Sequence, residues 1–299
     1  RWYERERENV LQAYEDLEFC WNDAQWNDKA AQERKNDDRP CLTVNRLPQF
    51  VHQVTGDMRQ MKPGIKVVPV DSAGDKKTAE AMGGMCRYIE NRSIAARIYT
   101  SGADSQVSCG IGAWRVTKEY AGKNTFNQEL RIVGVDDAVA IAVDPDAILP
   151  TKEDAQWLIV PVDKTNEAFK KKYPDCPVED FDALPESASA NGWFDKDFVR
   201  LAEYWVKKPI KRLLALMPDG AIVDLTGKDE AEVAQVKMTA AKVEQRDSYK
   251  VCRYLITAAH VLEEVDWPGM FIPIVFAVGE EIRIGRKVVR RGLVRSAKD

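Results

Sequence analysis

Asp136-Asp137 and Asp144-Pro145-Asp146 bring four carboxylates close together in the sequence. Carboxylates at that density can hold paired divalent metals, as in two-metal nucleases. The competing reading is turn chemistry. Proline fixes φ, and aspartate side chains bond the neighbouring backbone. The turn reading is preferred. The chain has only two histidines, His52 and His260. Neither stands near a serine or cysteine in a nucleophile setting, so both read as structural. Six cysteines occur (Cys20, Cys41, Cys86, Cys109, Cys176 and Cys252), with no C-x-x-C spacing. They read as buried or half-buried free thiols of a reducing compartment. No G-x-x-x-x-G-K-[ST] phosphate loop is present, so nucleotide hydrolysis is not expected of this chain. The sequence therefore predicts no catalytic, metal or cofactor residue. The rival reading is a metal-dependent nucleic-acid-processing enzyme built on Asp136, Asp137, Asp144 and Asp146. Calorimetric titration with a divalent metal separates the two.

One charge run needs a role. Arg283, Arg286, Lys287, Arg290, Arg291, Arg295 and Lys298 follow one another without an acid between Ile282 and Lys298. Three readings stand: a solvated strand pair, a face meeting acids on an adjacent subunit or partner, and a DNA-facing patch. By sign, the acid-rich stretch 173–195 (Asp175, Glu179, Asp180, Asp182, Glu186, Asp195) is one possible partner. The whole chain has 44 basic and 48 acidic residues, a net charge of −4. A general nucleic-acid binder would be basic overall. A slightly acidic surface suits a conduit, because tight phosphate contacts oppose sliding.

A chain of 299 residues allows one or two domains. No apolar run reaches the roughly 18 residues of a membrane span. Residues 5–34 read as one or two amphipathic helices, with Val10, Tyr14, Leu17 and Trp21 at helical steps. Trp2, Trp21 and Trp26 fit either core packing or contact with a neighbouring subunit. Leu47, Phe50, Val51, Val54, Met58 and Met61 mark one face of a helix that Asn45 can cap and Pro48 can open. Lys62-Pro63-Gly64 ends it, and a strand is expected over Ile65–Val70. Residues 75–105 read as a long helix with Met82, Met85, Ile89, Ile94 and Ile98 on its apolar side. A kink is expected at Gly83-Gly84. After Gly110 the period falls to two. A meander is expected through Trp114–Tyr120, Leu130–Ile132 and Val139–Ile141. A short helix over 164–172 stops at Tyr173-Pro174, and 173–195 is a surface loop. Met217-Pro218-Asp219-Gly220 is a turn. Val233, Val236, Ala240 and Val243 mark a helix over 229–245, and strands follow across Tyr249–Leu262.

The wording of several segments goes further than periodicity. Arg39-Pro40-Cys41-Leu42-Thr43-Val44-Asn45-Arg46-Leu47-Pro48-Gln49-Phe50 through Lys62-Pro63 resembles the portal proteins of tailed double-stranded-DNA bacteriophages. The likeness is to the long-chain subtype typical of short-tailed phages (podoviruses). Val143-Asp144-Pro145-Asp146-Ala147-Ile148 with Asp154–Trp157, Phe169–Asp175, Ile256–Glu263, and Ile272–Glu280 with Gly292–Asp299 carry the same likeness in order. Phe276 departs from it, standing where a second proline is usual, which puts a local turn in question.

The resemblance implies an α+β portal fold: a helical, wing-like N-terminal region over 1–110, a β-meander with short helix and acidic loop over 111–199, and an α/β region over 200–299 approaching stem and clip. It implies an N-terminal fragment of a longer subunit. It further implies a dodecameric homo-oligomeric ring at one capsid vertex, through which double-stranded DNA is packaged and ejected. The implied partners are the terminase large subunit, tail adaptors, and capsid or scaffolding proteins, with no membrane. The implied location is the virion, and the host cytoplasm during assembly. A capsid-associated structural protein other than the portal is the remaining alternative.

Overall fold

The computed structural model describes residues 2–61, 64–69, 75–176, 198–257, 260–285 and 287–298. Five helices come first: α1 (Trp2–Trp21), α2 (Asp28–Asn36), α3 (Leu47–Met61), α4 (Lys76–Ser93) and α5 (Ala95–Cys109). β1 (Ile111–Tyr120), β2 (Gln128–Gly134), β3 (Ala142–Val143), β4 (Trp157–Thr165) and α6 (Asn166–Lys172) follow. Then come β5 (Phe198–Leu216), β6 (Ile222–Asp224), α7 (Glu230–Thr239), β7 (Lys242–Ile256) and β8 (Val261–Trp267). β9 (Ile274–Val278), β10 (Glu280–Ile284), β11 (Lys287–Arg291) and α8 (Leu293–Ala297) close the chain. This is the α+β mixture that the sequence implies.

The chain divides into two compact units, residues 1–155 with 273–299, and residues 156–272. β9 returns to pair with β1 after the whole of 156–272 has intervened.

In the first unit, Asn45 Oδ1 accepts the Leu47 N–H at 3.1 Å and caps α3, with Pro48 in the first turn. Val51 and Thr55 are the buried residues of α3. Val51 joins Cys20 and Val294 in a fully buried cluster, with Phe19, Leu47, Val107 and Leu293 around it. Phe50, expected in the core, is 52% exposed; Val54, Met58 and Met61 on the same face are exposed too. α3 meets α5 through a narrower stripe than its apolar face offers. Residues 64–69 form no strand, since they join no ladder among the described residues; Val70 lies outside the described residues.

The expected kink at Gly83-Gly84 is not there. α4 runs through both glycines, started by Asp75, whose Oδ1 accepts the Lys77 N–H at 2.8 Å. The helix breaks at Ile94 instead, at φ 54° and ψ 43°. The cause is tertiary: Ser93 Oγ accepts the Ile132 N–H of β2 at 2.9 Å, and Arg131 donates to the Arg92 carbonyl at 2.7 Å. Met82, Met85 and Ile94 are exposed rather than on a buried side.

β1 pairs antiparallel with β2 on one edge and β9 on the other, placing Val116 opposite Ile132 and Ala113 opposite Phe276. Phe276 is a buried strand residue, so no turn replaces the proline it lacks. The meander does not extend to Val139 and Ile141. Both are buried in irregular chain, where Asp137 Oδ1 accepts the N–H groups of Val139 and Ala140 at 3.0 and 3.1 Å.

In the second unit, β5 lies between β4 and β7, all antiparallel, with β8 on β7 and β6 on the far end of β5. Phe169, Val199, Leu201 and Leu255 form its core. The Met217–Gly220 turn joins β5 to β6, the Met217 N–H bonding Ala221 O at 2.8 Å. α7 stops at Thr239, short of the expected 245. Beyond it the Ala241 N–H bonds Leu216 O, and Val243 pairs with Ala215, so the sheet claims the backbone. Most of the acidic stretch 173–195, all of it after Cys176, lies outside the described residues.

Candidate functional site

The basic run folds as the β10–β11 hairpin followed by α8, laid against α1. The chain reaches that place through a crossing of bare backbones. A Cβ on Gly292 would sit 2.3 Å from Ser108 O, and one on Gly110, at φ +89°, 2.6 Å from the Arg291 carbonyl carbon. Only glycine fits either position.

Asn9 of α1 joins the two ends of the chain. Its Nδ2 donates to Val288 O at 2.9 Å and its Oδ1 accepts the Arg290 N–H at 3.1 Å. That is the bonding pattern of a parallel-strand residue opposite Val289, supplied here by a helix side chain. Around it runs an alternating charge chain. Arg290, whose side chain is only 12% exposed, lies 3.4 Å from Glu6 and 3.3 Å from Glu281. Glu281 in turn faces the buried Lys152 ammonium at 3.3 Å. A cavity of about 40 Å³ lies beside this network, with Asn9, Lys152 and Glu281 on its polar side and Ile111, Ile141 and Phe276 on its apolar side.

Five of the predicted interface residues thus find acids within their own unit. Lys287 bonds Glu8. Arg290 takes Glu6 and Glu281, and Arg291 lies 3.8 Å from Glu280. Arg295 donates to Asp16 Oδ2 at 3.2 Å and Gln12 O at 2.8 Å; Asp16 Oδ1 lies 2.9 Å away without hydrogen-bond alignment. Lys298 reaches Glu15 at 2.6 Å, with its ammonium 4.9 Å from the Phe19 ring. Arg283 is exposed on β10, and Arg286 lies outside the described residues. Lys298, then Arg295, hold the Glu15 carboxyl below the usual carboxylate range. Burial pushes the Asp16 carboxyl up, against the pull of Arg295. The sequence showed the bases as a block. Of their partners on α1, Glu6 and Glu8 alternate with Arg5 and Arg7, and Glu15 and Asp16 stand on the helix with Glu18, so no acidic block announces them.

The aspartates form no shared site. Asp144 is buried and its Oδ1 accepts the Asp146 N–H at 3.1 Å, a turn bond. Asp146 pairs with Arg5 at 2.8 Å, and Asp137 accepts from the Tyr14 hydroxyl at 2.6 Å. Among the described residues no group of three histidines, cysteines or carboxylates is placed to hold a metal. The His52 ring meets that of Trp21 at a tilt of 55°, with ring centroids 5.4 Å apart. The His260 N–H bonds Thr257 Oγ1 at 3.0 Å. Cys20, Cys109 and Cys252 are buried, but Cys41 is exposed, against expectation. No helix among the described residues is long and apolar enough to cross a membrane.

A model of the phage P22-like portal protein family matches residues 1–299. The portal protein of Acyrthosiphon pisum secondary endosymbiont phage 1 is 23% identical to this chain over 174 residues. That alignment covers 56% of this chain and 24% of the relative, so the chain spans about a quarter of the length of that relative.

Proposed function

The chain belongs to the P22-like portal protein family, and from that premise we propose that it is part of a portal subunit of the short-tailed-phage type. Copies of the full subunit form a ring, dodecameric by family likeness, at one capsid vertex. Double-stranded DNA enters and leaves through it. The terminase large subunit, tail adaptors and capsid or scaffolding proteins dock on it. The role is structural rather than catalytic. The protein is a virion component that assembles in the host cytoplasm. The family match along the whole chain carries this reading. The helical residues 1–110 suit the outward wing, and the region from about 200 the approach to stem and clip.

Within the basic segment the solvent-facing groups, Arg283 with the outer parts of Lys287 and Arg291, meet a neighbouring subunit or docking partner, and DNA contact is secondary. The exposed row Phe50, Val54, Met58 and Met61 supports an assembling role, since exposed contiguous apolar surface marks interaction sites. The test uses the full-length subunit. Negative-stain images should show rings with a central hole, and sedimentation should show one large species. A monomer at every concentration tested overturns the proposal. Arg283→Glu should impair ring formation or docking. A variant that assembles normally and loses only salt-dependent DNA binding assigns the segment to DNA instead.

A further inference from the structure

Ile94 holds a backbone conformation that its own side chain opposes. It sits at φ 54°, ψ 43°, between α4 and α5, and its side chain is 68% exposed. A β-branched residue in the left-handed region is strained, and such strain persists only where the surroundings over-determine it. At that exposure, packing of the Ile94 side chain does little to pin it. α5 begins there without a side-chain cap. The sequence on both sides keeps a helical period, so the locally preferred state of residues 76–109 is one continuous helix.

What opposes that state is β2. Arg131 donates to the Arg92 carbonyl at 2.7 Å, the acceptor that the Ala96 N–H would use in an unbroken helix. The Ile132 N–H bonds Ser93 Oγ at 2.9 Å. Glu129 steadies this clamp: it accepts from Arg131 and from the Tyr88 hydroxyl, each at 2.9 Å, and lies 3.8 Å from Arg92. Past the break, the Tyr99 hydroxyl reaches Glu90 at 3.3 Å.

We propose that the α4–α5 junction is a two-position hinge. In the bent position β2 clamps Arg92 and Ser93 and Ile94 bears the strain. In the straight position the clamp opens and residues 76–109 form one helix. The switch carries α4, with its exposed Met82 and Met85, to a new direction without unfolding either helix. An acidic group from outside that captured the Arg131 guanidinium would release it.

The test is a distance measurement by double electron–electron resonance on the full chain. Nitroxides attached through a ketone-bearing amino acid at the exposed positions Lys77 and Ser101 leave the native cysteines untouched. A straight helix sets these Cα atoms about 36 Å apart. The native chain should show a dominant shorter distance. Ser93→Ala removes one clamp bond and places the best helix former at the break. Both it and Arg131→Ala should add or enlarge a population near 36 Å. Adding Ile94→Gly, which removes the strain of the bent form, should return Ser93→Ala to the shorter distance. A single short distance in a folded Ser93→Ala chain overturns the hinge, even if Arg131→Ala fails to fold. So does a Ser93→Ala population that Ile94→Gly leaves unchanged.

Discussion

Asn9 completes a sheet edge from inside a helix. Its amide takes one donor and one acceptor of β11 that would otherwise face a largely buried seam. Asn9→Ala should therefore cost about 1–3 kcal/mol, the desolvation penalty of groups left unpaired, read as a shift in urea midpoint at constant slope. Asn9→Asp keeps the acceptor but sets a carboxylate against the Val288 carbonyl and against Glu6, to which Nδ2 also donates at 3.1 Å, so it should cost more than alanine at neutral pH. The neighbouring arginines differ sharply. Arg290→Ala strands Glu6 and leaves Glu281 to Lys152 alone in a part-buried network, and should cost roughly 3–5 kcal/mol. Arg291→Ala, at an exposed 3.8 Å pair, should cost less than about 1 kcal/mol. Equal losses for the two would refute this division. Titration gives a third handle. Glu15, beside Lys298 and Arg295, and Asp163, bonded by Arg200, both ionise more readily folded than unfolded. A depressed acid stabilises above its unfolded pKa and loses that contribution as pH falls through the folded value. Thermal midpoints should drop between about pH 5 and pH 3, and Asp163→Asn should flatten part of the drop. Asp16, raised by burial, works in the opposite direction: its contribution is present at low pH and lost as pH rises.

At the scale of elements, whatever is decided locally could be read from the sequence. The Asn45 cap, the Pro48 start of α3, the Asp144 turn and the Met217–Gly220 turn each depend on a few adjacent residues, and each is found. Elements decided by distant partners were illegible. The α4–α5 break depends on Arg131 and Ile132, the end of α7 on Leu216 and Ala215, and the exposure of Phe50 on how narrowly α3 meets α5. The basic segment was visible as a block, but of its acids only Glu280 and Glu281 are near in sequence; the others lie on α1, more than two hundred residues away. The glycine crossing is likewise a tertiary fact. Gly292→Ala must displace backbone, since the added carbon would meet Ser108 O at 2.3 Å. Overpacking of that kind costs roughly 1–3 kcal/mol or more, whereas Gly220→Ala, with open space around it but φ +85°, meets only conformational strain. Denaturant unfolding of the two variants separates clash from strain.

At the scale of the molecule, the chain is a continuous unit set within a discontinuous one. Residues 156–272 close on themselves, while the unit around them needs both 1–155 and 273–299. β1 cannot gain its second neighbour, nor α1 its hairpin, until β9, β10 and β11 exist. During synthesis this imposes a delay. At roughly 5–20 residues per second the ribosome takes about 6–23 s to make the intervening unit. Throughout that time the helices of the first unit are outside the tunnel with an edge of β1 unpaired and the α1 acids facing water. The later-made unit should therefore finish folding first. A nascent chain stalled with residue 272 just clear of the tunnel should resist protease across 198–257 and still be cut within residues 2–61. Protection of both at that length would mean that the N-terminal helices hold together without the closing strands. The order of completion is thus opposite to the order of synthesis, and the opening third of the chain is the part that chaperones have longest to find.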